Sequence, residues 1–188
     1  MSALIAVVRT EGLDPKVYEH KISERRRESI LNARTESIAR QNLAAELAFL
    51  AAAEHFGIPA EYDYLPDGRP QPKAEGYYMS LTHTDGLAAC VIADVSVGID
   101  AEAERDIVPS LARKILAPNE SGDLREVWVK KESYLKRTGE GIRRPMTEFS
   151  VNEIDGSLYA FSVDGFYLAV SLAEERVISK ILIDPKTI

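Results

Sequence analysis

Met79-Ser80-Leu81-Thr82-His83-Thr84-Asp85-Gly86-Leu87-Ala88-Ala89-Cys90-Val91 is the stretch whose reading decides the fold. Residues 77–93 read as two strands joined at Asp85-Gly86, a strong short-range hairpin signal because glycine accepts positive φ at no steric cost. The same design returns downstream, where Ala160-Phe161-Ser162 leads through Asp164-Gly165 to Val170. An Arg-Pro loop precedes each hairpin, first Gly68-Arg69-Pro70 and later Arg143-Arg144-Pro145. A helical segment precedes each loop. The first spans residues 37–55, with Leu43, Leu47 and Leu50 at helical spacing and Gly57 and Pro59 beyond it; the second spans 124–137 and stops at Gly139. The repeated order of helix, loop, strand, turn and strand predicts an internal duplication. The expected fold class is α+β: two similar lobes in a pseudo-twofold arrangement, each a small antiparallel sheet packed on a long helix. The expected division is 1–100 and 101–188, one continuous unit with its ligand site between the lobes.

Around this frame, residues 4–9, 97–102, 147–152, 157–162, 166–172 and 177–183 read as strands. Residues 62–76, broken by Pro66, Asp67-Gly68, Pro70 and Pro72, read as a loop with short extended pieces. The stretch 106–123 is ambiguous, its helical pieces interrupted by Pro109, Pro118 and Gly122.

The net charge of -7 offers no basic field for nucleic acid, so an anionic ligand needs a local cluster of Arg and Lys. The lone cysteine, Cys90, lies in an apolar run and is expected buried; no internal disulfide can form, in keeping with a reducing cytoplasm. The apolar start at residues 1–8 has no basic region before it and is expected to be neither a signal peptide nor a membrane span.

Asp100 and Glu102 stand two apart on an extended segment and so share a face. Paired carboxylates suit an oxygen-loving divalent cation, but an acidic run continues through Glu104 and Asp106, and on spacing alone a solvated acidic turn is the favoured reading. Trp128, Glu132 and Lys136 lie at four-residue spacing on one helix face, which a plain surface ion pair also explains. His83 is a phosphate donor or a plain loop histidine. The 3 histidines lack metal-ligand spacing, and one cysteine cannot complete a zinc site. Arg25-Arg26-Arg27 and Arg40 are cations of the kind that hold phosphate. Neither a Walker loop nor Gly-x-Gly-x-x-Gly is present.

Taken in order, Gly68-Arg69-Pro70, Ser80-Leu81-Thr82-His83-Thr84, Val97-Gly98-Ile99-Asp100-Ala101-Glu102 and Trp128-Val129-Lys130-Lys131-Glu132-Ser133-Tyr134-Leu135-Lys136 resemble the motifs of the Sfp-type 4'-phosphopantetheinyl transferases. The resemblance covers roughly residues 40–141 by motif and implies that family's two-lobed fold. It implies transfer of 4'-phosphopantetheine from coenzyme A, the co-substrate, to a serine of an apo acyl or peptidyl carrier protein. It implies a metal, Mg2+ or Mn2+, on Asp100, Glu102 and Glu132, with Glu132 also as base. Lys136 would take the diphosphate and assist the leaving group. Arg40, Arg69, Thr82 and His83 would contact coenzyme A, joined by one of Arg25 to Arg27. A cytoplasmic monomer without nucleic-acid or membrane partners is expected. Two departures are Thr82 and Thr84 in place of the usual Ser, and a short stretch between Glu102 and Trp128, which bears on the choice of carrier. Glu120 resembles part of a family Pro-x-Glu element and receives no role from the sequence. A metal-dependent hydrolase of a coenzyme A-like diphosphate, and a non-catalytic binding module for coenzyme A or its carrier protein, remain the alternatives.

Overall fold

The computed structural model describes residues 2–18, 20–104 and 109–187, without the side chains at 25, 109, 142 and 187. The strands are β1 (Ser2–Arg9), β2 (Tyr62–Tyr64), β3 (Pro70–Pro72), β4 (Tyr78–Thr84), β5 (Leu87–Ala93), β6 (Val97–Ala103), β7 (Ser157–Val163), β8 (Phe166–Leu172) and β9 (Val177–Ile183). The helices are α1 (Pro15–Tyr18), α2 (Glu24–Leu31), α3 (Glu36–Phe56), α4 (Ala112–Ile115) and α5 (Leu124–Thr138).

A four-stranded sheet runs β4-β5-β1-β9, and a three-stranded sheet runs β6-β8-β7. Both hairpins form where the Asp-Gly turns predict them, with Thr84 opposite Leu87 and Val163 opposite Phe166. In the second, Asp164 and Gly165 both take positive φ, the twist that suits a two-residue hairpin. The two long helices start on side-chain caps, Thr35 accepting from the Ile38 amide and Asp123 from those of Arg125 and Glu126, and stop at left-handed Gly57 and Gly139.

Alternation along β1 explains the layering. Leu4, Ala6 and Val8 join Leu43, Leu47 and Phe49 of α3 in one core. Ala3, Ile5 and Val7 join Ile99, Leu168 and Val170 of the second sheet in another. The first sheet is therefore covered on both faces, which is why β1 and β5 read as continuous apolar runs. The order of layers is α3, first sheet, second sheet, α5. Each fully buried Leu or Phe contributes about 1.5–3 kcal/mol to this stack.

Two features differ from the sequence reading. Residues 147–152 form no strand but two short 3-10 turns, Met146–Glu148 and Val151–Glu153. Pro145 leads into the first, a reciprocal Ser150–Glu153 cap closes the second, and the Val151 amide donates to the Glu120 carboxylate at 2.7 Å, not to a neighbouring strand. The last strand also crosses back: β9 pairs with β1 in parallel, Ala6 opposite Ile181, and so completes the first sheet. The division expected at residue 100 falls inside β6, whose strand belongs to the second sheet. Among the described residues no helix is long and apolar enough to cross a membrane.

β6 and α5 meet backbone to backbone. A Cβ built on Gly98 would lie 2.0 Å from the Ser133 carbonyl oxygen and 2.5 Å from the Arg137 amide nitrogen. Gly98→Ala should therefore cost at least about 3 kcal/mol or prevent folding, by overpacking against immovable backbone; urea denaturation followed by circular dichroism measures it. Unchanged stability would contradict the contact.

Candidate active site

Because β4 alternates, its consecutive motif residues serve opposite sides. Ser80, Thr82 and Thr84 are buried on the face of Leu87, Ala89 and Val91, toward the second sheet. The Ser80 hydroxyl accepts from the Ile99 amide at 3.1 Å, tying β4 to β6, and the Thr82 hydroxyl donates to Asp100 Oδ1 at 3.2 Å. Leu81 and His83 lie toward α3. His83 Nδ1 meets Gln41 Oε1 at 3.0 Å, and Gln41 in turn donates to Ser37 at 3.2 Å.

β6 alternates likewise. Val97, Ile99 and Ala101 enter the core between the sheets, while Gly98, Asp100 and Glu102 occupy the face covered by α5. Lys136 Nζ donates to Asp100 Oδ1 at 2.7 Å. Asp100 is 6% exposed, and its Oδ2 is buried with no hydrogen-bond partner. Burial first, and then the Asp100 charge, push the Glu132 carboxyl above its ordinary value, with Lys136 opposing. Glu132, Asp100 and Lys136 thus form one electrostatically linked cluster. Glu102 stands on the same strand face, half-buried, opposite Tyr167, over whose ring Arg125 lies. Among the described residues no group of three or more His, Cys, Asp or Glu is gathered to hold a metal. Asp100 and Glu132 nevertheless suit a cation: an orphaned buried carboxylate oxygen and a second carboxylate that feels it are both relieved by positive charge.

His83 is exposed, yet burial by its surroundings, then the charges of Lys136 and Arg26, hold its imidazole below the ordinary value, while Asp100 opposes. Arg69 reaches the carbonyl of Arg137 at 2.7 Å while held by Asp67 at 2.9 Å, so it clamps the end of α5. Arg40 pairs with Glu36 and lines a separate hollow of about 530 Å³ with Leu13, Lys16 and Arg27. Arg26 is committed to Glu46 at 3.2 Å and to the Tyr62 hydroxyl at 2.5 Å. The side chain of Arg25 and the whole of Asp106 lie outside the described residues. Of the expected set, then, Thr82, Asp100, Glu132 and Lys136 converge, His83 lies beside them, and Arg40 and Arg69 stand apart on other partners.

Several residues of the site's framework escaped sequence reasoning. Lys131 is fully buried, donating to Glu120 Oε2 at 2.5 Å and to the carbonyls of Ile115 and Met146, each at 2.8 Å. Desolvation works against ionised Glu120, but hydrogen bonds from Lys131 and from the Ala117 and Val151 amides prevail and hold its carboxyl below the ordinary value. The signal was a lysine inside the apolar stripe Val127-Lys131-Leu135, which calls for a buried acid to meet it. On the adjoining stripe Arg137 donates to Ser171 at 3.0 Å and to Asp155 at 2.6 Å, pinning α5 to β8.

The architecture defines a class: an α+β protein with a carboxylate-lysine pocket in the seam between a three-stranded sheet and a helix. Comparison with known proteins then places that seam. Residues 96–178 match the model of the 4'-phosphopantetheinyl transferase superfamily, and the matched segment includes Asp100, Glu102, Glu132 and Lys136. The chain is 26% identical over 117 residues to a 4'-phosphopantetheinyl transferase of Bacillus subtilis, covering 54% of this chain and 52% of that protein. It is 25% identical over 112 residues to 4'-phosphopantetheinyl transferase Sfp of Bacillus subtilis (strain 168), covering 53% and 46%. The chain spans about half the length of these curated relatives. The resemblance read from the motifs is borne out at the level of the superfamily.

Two outcomes follow from this geometry. Glu120→Ala should destabilise the protein by about 3–5 kcal/mol, because Lys131 is left as an uncompensated buried charge; denaturant titration at neutral pH checks this. Glu132→Gln should stabilise the free protein at pH 7. A carboxyl raised by folding loses stability as pH climbs through the unfolded value to the folded one, so the gain should vanish below the ordinary Glu range. Thermal melts from pH 4 to 8 would show it, and a gain that grew toward low pH would refute the assignment.

Proposed function

We propose that this chain transfers the 4'-phosphopantetheine group from coenzyme A to a serine hydroxyl of an apo acyl or peptidyl carrier protein, releasing 3',5'-ADP. The observation that carries this reading is the Asp100 carboxylate, buried with one orphaned oxygen and ringed by Thr82, Lys136 and Glu132, inside the segment that matches the superfamily. In the reaction the serine oxygen attacks the β-phosphorus, the bond from phosphorus to the 3',5'-ADP oxygen breaks, and the serine proton passes to Glu132, directly or through a water. A carboxylate within reach of that hydroxyl suits the task. Asp100, Glu102 and Glu132 would hold Mg2+, with Mn2+ as a substitute, which when bound neutralises charge on the diphosphate.

Lys136, one turn past Glu132, would bind the diphosphate and offset charge on the departing oxygen. The Thr82 hydroxyl, spent on Asp100, steadies that carboxylate. Exposed His83, beside the cluster, would contact coenzyme A phosphates, and Arg40 would do so from its separate hollow on giving up Glu36. Arg69, held apart at the end of α5, would contact coenzyme A near its 3'-phosphate. We read the chain as one enzyme unit with the site between its lobes, monomeric because β4, β6 and α5 of a single chain already supply Thr82, Asp100 and Lys136, and cytoplasmic in keeping with its lone buried cysteine.

Incubation with coenzyme A, Mg2+ and a panel of apo carrier proteins, followed by mass spectrometry, tests the proposal. A gain of ~340 Da on a carrier is expected for such a transfer, and it should disappear on chelation. Glu132→Gln should lower turnover at least ~100-fold with the fold intact. Coenzyme A cleaved without a carrier would point to a hydrolase; coenzyme A bound but never consumed would point to a binding module.

A further inference from the structure

The two oxygens of Asp100 meet opposite circumstances. Oδ1 receives Thr82 Oγ1 at 3.2 Å and Lys136 Nζ at 2.7 Å, while Oδ2 is buried and receives nothing. A carboxylate so enclosed is stabilised by a positive neighbour. Lys136 is that neighbour, on a side chain 32% open to solvent against 8% for Asp100, so the ammonium can leave toward solvent and the carboxylate cannot. The contrast with Lys131 on the same helix is sharp: that ammonium has 0% exposure and a Glu and two carbonyls as partners, and has nowhere to go.

A dication seated on Asp100 would confront the Lys136 ammonium across one carboxylate, and like charges at that range repel. The ammonium, a compact charge on a flexible stem with rotatable donors, is equally suited to a phosphate oxygen. We infer that Lys136 is a place-holding cation: in the free protein it neutralises Asp100, and it surrenders that carboxylate to a divalent cation as its ammonium moves onto the anionic substrate. The inference rests on the metal-assisted transfer proposed above. Its consequence is coupling: the anion, by drawing Lys136 away, raises affinity for the cation, and the cation raises affinity for the anion by the same factor.

Binding of Mn2+ to the full chain without coenzyme A, followed by the electron paramagnetic resonance signal of free Mn2+, tests it. Lys136→Met should bind Mn2+ about tenfold tighter than the unaltered chain, the effect of freeing one charge-assisted hydrogen bond. Lys136→Arg, which keeps a cation there, should remain weak. Lys130→Met removes the same charge from the same helix, but from a lysine paired with Glu126, and should change little. Asp100→Asn should abolish the site in each background. Equal or weaker binding by Lys136→Met, or equal tightening by Lys130→Met, would overturn the place-holding role while leaving the metal reading standing. Absence of binding in both the unaltered chain and Lys136→Met would overturn both.

Discussion

The close approach of β6 to α5 is the constraint on which the rest depends. Gly98 lets a strand backbone lie against a helix backbone, and nothing larger fits, since its Cβ would overlap the Ser133 carbonyl. With the two elements at that separation, a carboxylate two residues along the strand meets a lysine on the helix without an intervening layer of side chains. Small and polar residues continue the seam, with Ser171 of β8 receiving Arg137. The polar seam is held from outside by apolar packing, because the opposite face of the same sheet buries Ile99, Leu168 and Val170 against the first sheet.

Two buried ion pairs on α5 illustrate different uses of the same chemistry. Lys131 and Glu120 are satisfied by each other and by backbone groups, so they fix the turns around residues 115–120 and 146–151 onto the helix. A buried pair of this kind contributes geometric definition more than net stability. Asp100 is left incomplete: one oxygen is paired with a partly exposed lysine and the other with nothing. Stability alone would favour completing it, and the deficit agrees with the ligand chemistry proposed above.

Much of this was legible in the residues. The Asp-Gly pairs located both hairpins, glycine stops located both helix ends, and the period-2 rule placed Asp100 and Glu102 on one face. The same rule separated Thr82 from His83 only after β4 was seated between a helix and a second sheet. Residues 147–152 looked like a strand because Phe149 and Val151 are apolar, but a Pro, a reciprocal cap and a side-chain acceptor for the Val151 amide gave the backbone other partners.

The sequence by itself determined the local elements, the repeated hairpins and the identity of the charged residues, because turns, caps and periodicity are decided by neighbours a few positions apart. The tertiary structure alone decided that β9 completes the first sheet beside β1, that Glu120 answers Lys131 and that Arg69 clamps the end of α5. It also decided that Lys136 lies on Asp100, 36 residues away in the chain. Such pairings depend on which faces remain to be buried once the layers stack, and on the demand that each charge carried inward find a partner there.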